Sequence, residues 1–135
     1  MLKKVLVDSN VLLDILTEDP MWYEWSATQL EQLAEQHILA INPIIYAEIS
    51  IGFNMIEDLE DSLPETQFLR LQLPWEAAFL AGKAFMQYKK KGGTKVSTMP
   101  DFFIGSHGLV SDMIVLTRDG NRYKTYFPAL SLICP

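Results

Sequence analysis

The sequence predicts an α/β fold in which a mainly parallel sheet carries helices on both faces. Apolar runs of about four residues, the length of a short buried strand, alternate with longer segments whose apolar residues recur at helical spacing. This alternation is typical of strands joined by helical crossovers. A chain of 135 residues without a low-complexity tract is expected to form one domain, residues 1–135.

Composition argues against several classes of protein. The formal net charge of −6 is unlike that of proteins that coat nucleic acid by bulk attraction, but it is compatible with carboxylates gathered at a metal site. No apolar run approaches the ~20 residues that span a bilayer, and Asp8 and Asp14 interrupt the apolar N-terminal stretch. We therefore expect a cytoplasmic protein without membrane contact. Cys134 is the single cysteine and has no disulfide partner in the chain.

The first strand leads into a capped helix. Residues 3–7 form an apolar run, and Asp8 or Ser9 supplies the cap for a short helix at 11–16. Apolar and acidic residues then separate onto two faces over 22–36, which predicts an amphipathic surface helix.

The second strand, Ile38–Ile41, also leads into a helix. Asn42 is a good helix cap and Pro43 suits the first helical position, so a helix is predicted over 43–56. This helix is apolar nearly all round, yet it contains Glu48. Neither a cap nor a turn accounts for that acid, and a buried charge must be paired or must bind a cation.

The second half of the chain continues the alternation. Residues 57–62 are acidic and are interpreted as a solvated helix end and turn without a catalytic role. The elements predicted after them are a strand at 70–74, a helix at 75–89, a helix at 98–109, a strand at 113–117 and a last strand at 129–134.

Four acids are expected at the carboxyl ends of the strands, where open parallel sheets bind ligands: Asp8, Glu48, Asp101 and Asp119. Three of them also have a structural explanation. Asp8 is a candidate N-cap, Asp101 a candidate partner of Thr98 in a capping box, and Asp119 a turn residue. Carboxylates buried together repel one another unless a divalent cation lies between them, and oxygen ligands suit Mg²⁺ or Mn²⁺. Such a site is typical of phosphodiester hydrolysis.

Four segments together resemble the PIN domain family, and most closely the VapC-type ribonuclease toxins of bacterial toxin–antitoxin pairs. In order along the chain they are Val7-Asp8-Ser9-Asn10-Val11-Leu12-Leu13-Asp14, Asn42-Pro43-Ile44-Ile45-Tyr46-Ala47-Glu48, Pro100-Asp101-Phe102-Phe103-Ile104-Gly105, and Leu116-Thr117-Arg118-Asp119 running into Arg122-Tyr123 and Tyr126-Phe127-Pro128. The segments occur in the order and spacing of the family, and the resemblance extends over essentially the whole chain.

The resemblance implies a three-layer αβα nuclease domain and a Mg²⁺-dependent endoribonuclease, with Mn²⁺ as a substitute. It implies that Asp8, Glu48 and Asp101 hold the metal, that Asp119 completes the acidic cluster, and that the supporting residues are Asn10 and Thr117. Family members are usually homodimers inhibited by a small VapB-like antitoxin, which inserts a basic side chain into the acidic pocket.

Several residues have two interpretations. Arg118 and Arg122 lie close enough to the fourth acid, Asp119, to contact RNA phosphates. His107 is expected to be packed or hydrogen-bonded rather than catalytic. Ser106 and Gly108 stand where the family often has alanine, which affects packing. The aromatic residues Trp22 and Trp25 are expected to be exposed, as candidates for a dimer interface.

Two other functions compete with the nuclease. A haloacid-dehalogenase-type phosphatase also places an Asp after the first strand, but it needs a second Asp two residues later, where this chain has Asn10. A degenerate PIN domain acting as a binding module is expected to have lost at least one acid, and all four are present.

Overall fold

The structure is a computed structural model that describes residues 2–95 and 98–135. Its strands are β1 (Lys4–Val7), β2 (Ile38–Ile41), β3 (Leu69–Arg70), β4 (Ile114–Leu116) and β5 (Ser131–Ile133). Its helices are α1 (Ser9–Leu16), α2 (Tyr23–Gln36), α3 (Pro43–Ser50), α4 (Ile56–Ser62), α5 (Trp75–Lys90), α6 (Met99–Val110) and α7 (Asn121–Tyr126).

The described strands form one sheet in the order β3-β2-β1-β4-β5, and every pairing is parallel. The predicted α/β class with helices flanking a central sheet is confirmed. The chain moves outward from β1 to β3 and then crosses to β4 on the other side, so β1 and β4 flank the point where the strand order reverses. Because Val7 pairs with Leu116 and Leu6 with Ala40, the carboxyl ends of β1, β2 and β4 lie level. This is the edge where such sheets bind ligands.

The core lies against both faces of β1. Val5, Leu6 and Val7 are consecutive and fully buried, which requires cover on both sides of the sheet because successive strand residues point to opposite faces. Helix α6 supplies part of this cover and approaches closely, since a Cβ at Gly108 would lie 2.6 Å from Val115 Cγ2. An alanine therefore does not fit at Gly108 without a shift.

The predicted helix over 43–56 is too long. Helix α3 ends at Ser50, Ile51 is 87% exposed, and a new helix begins at Ile56. The backbone N–H of Gly52 bonds to Ile49 and that of Phe53 to Ser50, so the helical ladder tightens into turns after Ser50. Although its sequence is apolar nearly all round, the helix is not buried on all sides, since Pro43 and Ala47 are exposed.

Three further elements differ from the sequence prediction. Residues 57–62 belong to helix α4 rather than to a helix end and turn, because Leu59 is buried and anchors it. The strand predicted at 70–74 is the two-residue β3, and α7 was not predicted at all. None of the helices described, across 2–95 and 98–135, has the length and apolarity needed to cross a membrane.

Candidate metal centre

Asp8 lies at the carboxyl end of β1, next to the point where the strand order reverses. It is 3% exposed and is the N-cap of α1, accepting a hydrogen bond from Ser9 N at 2.7 Å. Its other oxygen, Oδ2, accepts from Thr117 Oγ1 at 2.9 Å and from Tyr123 Oη at 2.8 Å. The capping interpretation of Asp8 is therefore confirmed, but the cap uses only one of its two oxygens.

The two predicted supporting residues form a chain of hydrogen bonds to Asp8. Asn10 Nδ2 donates to Thr117 Oγ1 at 3.1 Å, and Thr117 in turn donates to Asp8. Asn10 Oδ1 accepts from Arg118 N at 3.1 Å, which ties helix α1 to the loop after β4. The hydrogen bonds orient the Asp8 carboxylate, which agrees with the supporting role that the family resemblance implies for these two residues.

Glu48 reaches the same place from helix α3. Its Oε1 accepts from Ser9 Oγ at 2.9 Å, and Ser9 is the residue next to Asp8. Glu48 is half-buried, so the premise that it is a charge enclosed by isoleucines is wrong. Helix α3 nevertheless has to point this way, because Asn42 Oδ1 caps it at Ile45 N directly after β2.

Asp101 lies in the first turn of helix α6 and is paired with an arginine. Arg122 Nη1 donates to Asp101 Oδ2 at 2.7 Å, and each side chain is about one-third exposed, at 31% and 32%. The predicted capping box is absent here, since Thr98 Oγ1 donates to the Lys95 carbonyl at 3.1 Å instead of capping α6.

Asp119 is the outermost of the four acids. It is exposed and follows β4 by three residues, and its Oδ1 accepts from Asn121 N at 3.4 Å, which agrees with its turn interpretation. Its charge still acts on the cluster because it raises the pKa of Asp101.

The carboxylates affect one another electrostatically. Burial raises the pKa of Asp8, and the negative charge of Asp101 raises it further. Burial likewise raises the pKa of Glu48, with added contributions from Asp8 and Asp101. Burial is also the main cause that raises the pKa of Asp101, against the opposing effect of Arg122. Mutual repulsion of this kind is what a divalent cation relieves.

The acids do not form a ready-made ligand shell. In the part of the chain that the structure describes, no three His, Cys, Asp or Glu side chains are grouped so as to hold a metal ion. Thr117 and Tyr123 donate hydrogen bonds to Asp8, and Arg122 donates one to Asp101. The atoms of the acids that could bind a metal are all oxygen, which suits Mg²⁺ or Mn²⁺ in chemical type. A cation bound at Asp101 would lie beside the Arg122 guanidinium.

The second predicted RNA-contacting arginine is occupied elsewhere. Arg118 Nε donates to Asp14 Oδ2 at 3.0 Å, Ser26 Oγ donates to the same oxygen at 2.7 Å, and Asp14 is 2% exposed. The Arg118 guanidinium also lies 5.6 Å from the centre of the Trp22 ring. Trp22 and Trp25 are half-buried and pack edge to face, so the prediction that they are exposed is wrong.

His107 is a packed, hydrogen-bonded residue, as predicted. It is 2% exposed, and its Nδ1 lies 3.0 Å from Asn42 Nδ2. Because Asn42 Oδ1 is already used by Ile45 N, the amide nitrogen donates and the imidazole Nδ1 accepts. Burial lowers the pKa of His107, which favours the neutral ring.

Ser9 and Tyr123 are site residues that the sequence interpretation missed. Ser9 donates to both Asp8 and Glu48, and its signal was its place directly after Asp8. Tyr123 lies in α7, an element without a side-chain cap, so no local pattern indicated that its hydroxyl turns toward Asp8.

The fold is similar to that of several solved structures. A chain of VapBC2 from Rickettsia felis, solved with a promoter DNA fragment, matches with a TM-score of 0.75 and 20% identity over 98% of both chains. A chain of VapBC-1 from nontypeable Haemophilus influenzae matches with a TM-score of 0.73 and 19% identity over 97% of both chains. A chain of FitAcB from Neisseria gonorrhoeae matches with a TM-score of 0.71 and 18% identity over 96% of both chains. At these identities the likeness concerns the fold.

A comparison with curated protein sequences gives no match. The model of the PIN domain, in contrast, matches residues 5–128, a range that runs from β1 past α7 and includes all four acids. The sequence resemblance to this family is thereby confirmed, and the chain belongs to the PIN domain family.

Proposed function

We propose that this chain is a metal-dependent endoribonuclease and the toxin of a VapC-type toxin–antitoxin pair. The observation that supports the proposal is that Asp8, Glu48 and Asp101 interact electrostatically near the carboxyl edge of the sheet, and that each has a raised pKa. Family membership and the fold of the toxin–antitoxin neighbours support the same conclusion. The preferred ion is Mg²⁺, with Mn²⁺ as a substitute, because the donors are carboxylates.

In this proposal each acid has a defined part. Asp8, Glu48 and Asp101 hold the cation, and Asp119 adds negative charge from the rim. Asn10 and Thr117 keep the Asp8 carboxylate oriented through the hydrogen bonds described above. A bound divalent cation supplies the Lewis acidity that activates water and stabilises charge on the phosphodiester. We propose that Arg122, which pairs with Asp101 and is about one-third exposed, contacts a substrate phosphate.

The partners follow from the same comparison. The solved neighbours include VapBC and FitAB complexes and a toxin–antitoxin complex from Klebsiella pneumoniae, so we propose a VapB-like antitoxin as inhibitor. A basic antitoxin side chain fits an acidic pocket by charge.

We also propose a cytoplasmic homodimer. Its best candidate face is the outer side of α5, where Trp75 is 88% and Phe79 70% exposed.

The two competing functions, a phosphatase and a binding module, differ in how well they are supported. The phosphatase interpretation has lost its support, because the chain belongs to another family and Asn10 is engaged with Thr117 and Arg118 instead of serving as a second acid. The binding-module interpretation predicts that the acids are dispensable and that no RNA is cut. It remains the alternative that an activity measurement must exclude.

The decisive experiment is RNA cleavage by the purified protein with Mg²⁺, Mn²⁺ or EDTA. We expect cleavage only with a divalent cation, and we expect Asp8→Asn and Asp101→Asn each to lower its rate by at least about 100-fold, since each removes a charged cation ligand. Asp61→Asn is the matched control, because Asp61 is an exposed acid on α4 away from the cluster. Circular dichroism and thermal melts should show that all three variants fold.

Undiminished cleavage by folded Asp8→Asn or Asp101→Asn protein would remove the metal-site proposal. An absence of cleavage by the wild-type protein with either ion, across a whole RNA pool, would favour the binding module. The toxin role has a separate test, which is co-purification with the product of a short neighbouring reading frame.

A further inference from the structure

Arg122 occupies an oxygen of one of the proposed metal ligands. Its Nη1 donates to Asp101 Oδ2 at 2.7 Å, the short distance of a charge-assisted hydrogen bond. Within residues 2–95 and 98–135, no other basic side chain comes within ion-pair distance of the four acids. Among the described residues, Arg122 is therefore the positively charged side chain that forms an ion pair with one of the four acids.

The position of Arg122 is fixed from two sides. Its neighbour Tyr123 is 2% exposed and bonded to Asp8, so the backbone of α7 is anchored beside the acids. The Arg122 guanidinium lies over the Tyr88 ring, 5.8 Å from its centre, which is within the range of a cation–π contact. The backbone that carries Arg122 is thus anchored, and the Arg122 guanidinium contacts both Tyr88 and Asp101.

Stability does not explain the pair well. Both side chains are about one-third exposed, at 31% and 32%, and ion pairs with that much solvent contact add little to folding stability. The pair instead places a positive charge directly on an oxygen of Asp101.

The geometry points to Arg122 as a resident counter-ion of Asp101, a positioning residue that competes with a divalent cation and thereby sets the affinity for the metal. A metal ion bound to the Asp101 carboxylate lies beside the Arg122 guanidinium, and two cations a few ångströms apart repel each other. The inference rests on the proposed function in one respect, namely that Asp101 is a ligand of a divalent cation.

The test is titration of the metal-free protein with Mn²⁺ by isothermal calorimetry, without RNA. We expect Arg122→Gln to bind Mn²⁺ about tenfold more tightly than the wild type, because the competitor is gone. Lys124→Gln is the matched control: it removes the same charge from the same helix, and Lys124 is exposed. We expect the control to change the affinity by less than about twofold, as for a distant screened charge. Arg122→Met, which keeps an apolar stem over Tyr88, is a second variant with the same expectation.

The outcomes separate this inference from the proposed function. Equal affinities for Arg122→Gln and Lys124→Gln, or weaker binding by Arg122→Gln, would overturn the counter-ion role while leaving an Asp8-dependent nuclease intact. Binding by Arg122→Gln but not by the wild type would support it. Failure of every variant to bind Mn²⁺ would overturn both proposals.

Discussion

Replacing Tyr123 by phenylalanine isolates one hydrogen bond to the central acid. Tyr123 is 2% exposed, and its hydroxyl donates to Asp8 Oδ2 at 2.8 Å. The variant keeps the aromatic ring in the core and removes only the hydroxyl. Asp8 is then left with the donors Ser9 and Thr117.

The expected cost at pH 7 is about 1.5–3 kcal/mol in the free energy of unfolding, the range for hydrogen bonds to charged groups. Water does not replace the lost donor easily, because Asp8 is 3% exposed. The Tyr123 hydrogen bond is the strongest influence that lowers the pKa of Asp8, against the larger effect of burial. Its loss raises that pKa further. Because a group with a raised folded pKa regains stability as the pH falls through that pKa, the cost should be smaller at pH 5.

Urea denaturation of the metal-free protein at pH 7 and pH 5 measures both effects. Tyr126→Phe is the matched control, since Tyr126 lies on the same helix and its hydroxyl makes no hydrogen bond within 2–95 and 98–135. A loss for Tyr123→Phe that equals the control, or that is the same at both pH values, would refute the argument that Asp8 is charged and depends on this donor.

Two further predictions concern the cluster and the surface. The pKa values of Asp8, Glu48 and Asp101 are raised on folding, so the unfolding midpoint of the metal-free protein should increase as the pH is lowered from 7 toward 5. Addition of Mg²⁺ at pH 7 should give a similar increase, which EDTA reverses. A midpoint that depends on neither pH nor Mg²⁺ would contradict this prediction. Trp75→Glu on α5 should convert a dimer to a monomer in light scattering, whereas Ile51→Glu, at a site that is 87% exposed, should not; equal masses for the two variants would exclude the α5 face.

Short-range patterns predicted most of the fold. Strand β2 begins and ends where the apolar run Ile38–Ile41 does, and Asn42 and Pro43 start α3 as expected of a cap and a first-turn proline. The end of α3 was missed because Ile51 continues the apolar pattern although it is 87% exposed. Helix α7 was missed because six residues without a side-chain cap carry too little periodicity.

The four acids and the supporting residue Thr117 were named from the sequence, but Ser9, Tyr123 and Arg122 were not recognised as partners of the acids. The position of Asp8 can be predicted locally, because it directly follows the apolar run of β1. The residues that bond to the acids, in contrast, are distant from them in sequence. Tyr123 is 115 residues from Asp8, Ser9 is 39 residues from Glu48, and Arg122 is 21 residues from Asp101. No local pattern in one sequence reports such pairs, since they follow from the strand order of the sheet.

Two buried acids on the first helix show why Asp8, and not Asp14, belongs to the proposed metal site. Asp14 is 2% exposed and Asp8 3%, so both carboxylates have been removed from water at a similar cost. Asp14 is compensated by the positive charge of Arg118, which makes it a structural ion pair. Asp8 has neutral donors only among the described residues, and the charges that interact with it electrostatically, those of Asp101 and Glu48, are negative. A buried carboxylate without a cation of its own, surrounded by others, is the arrangement that a divalent ion stabilises most.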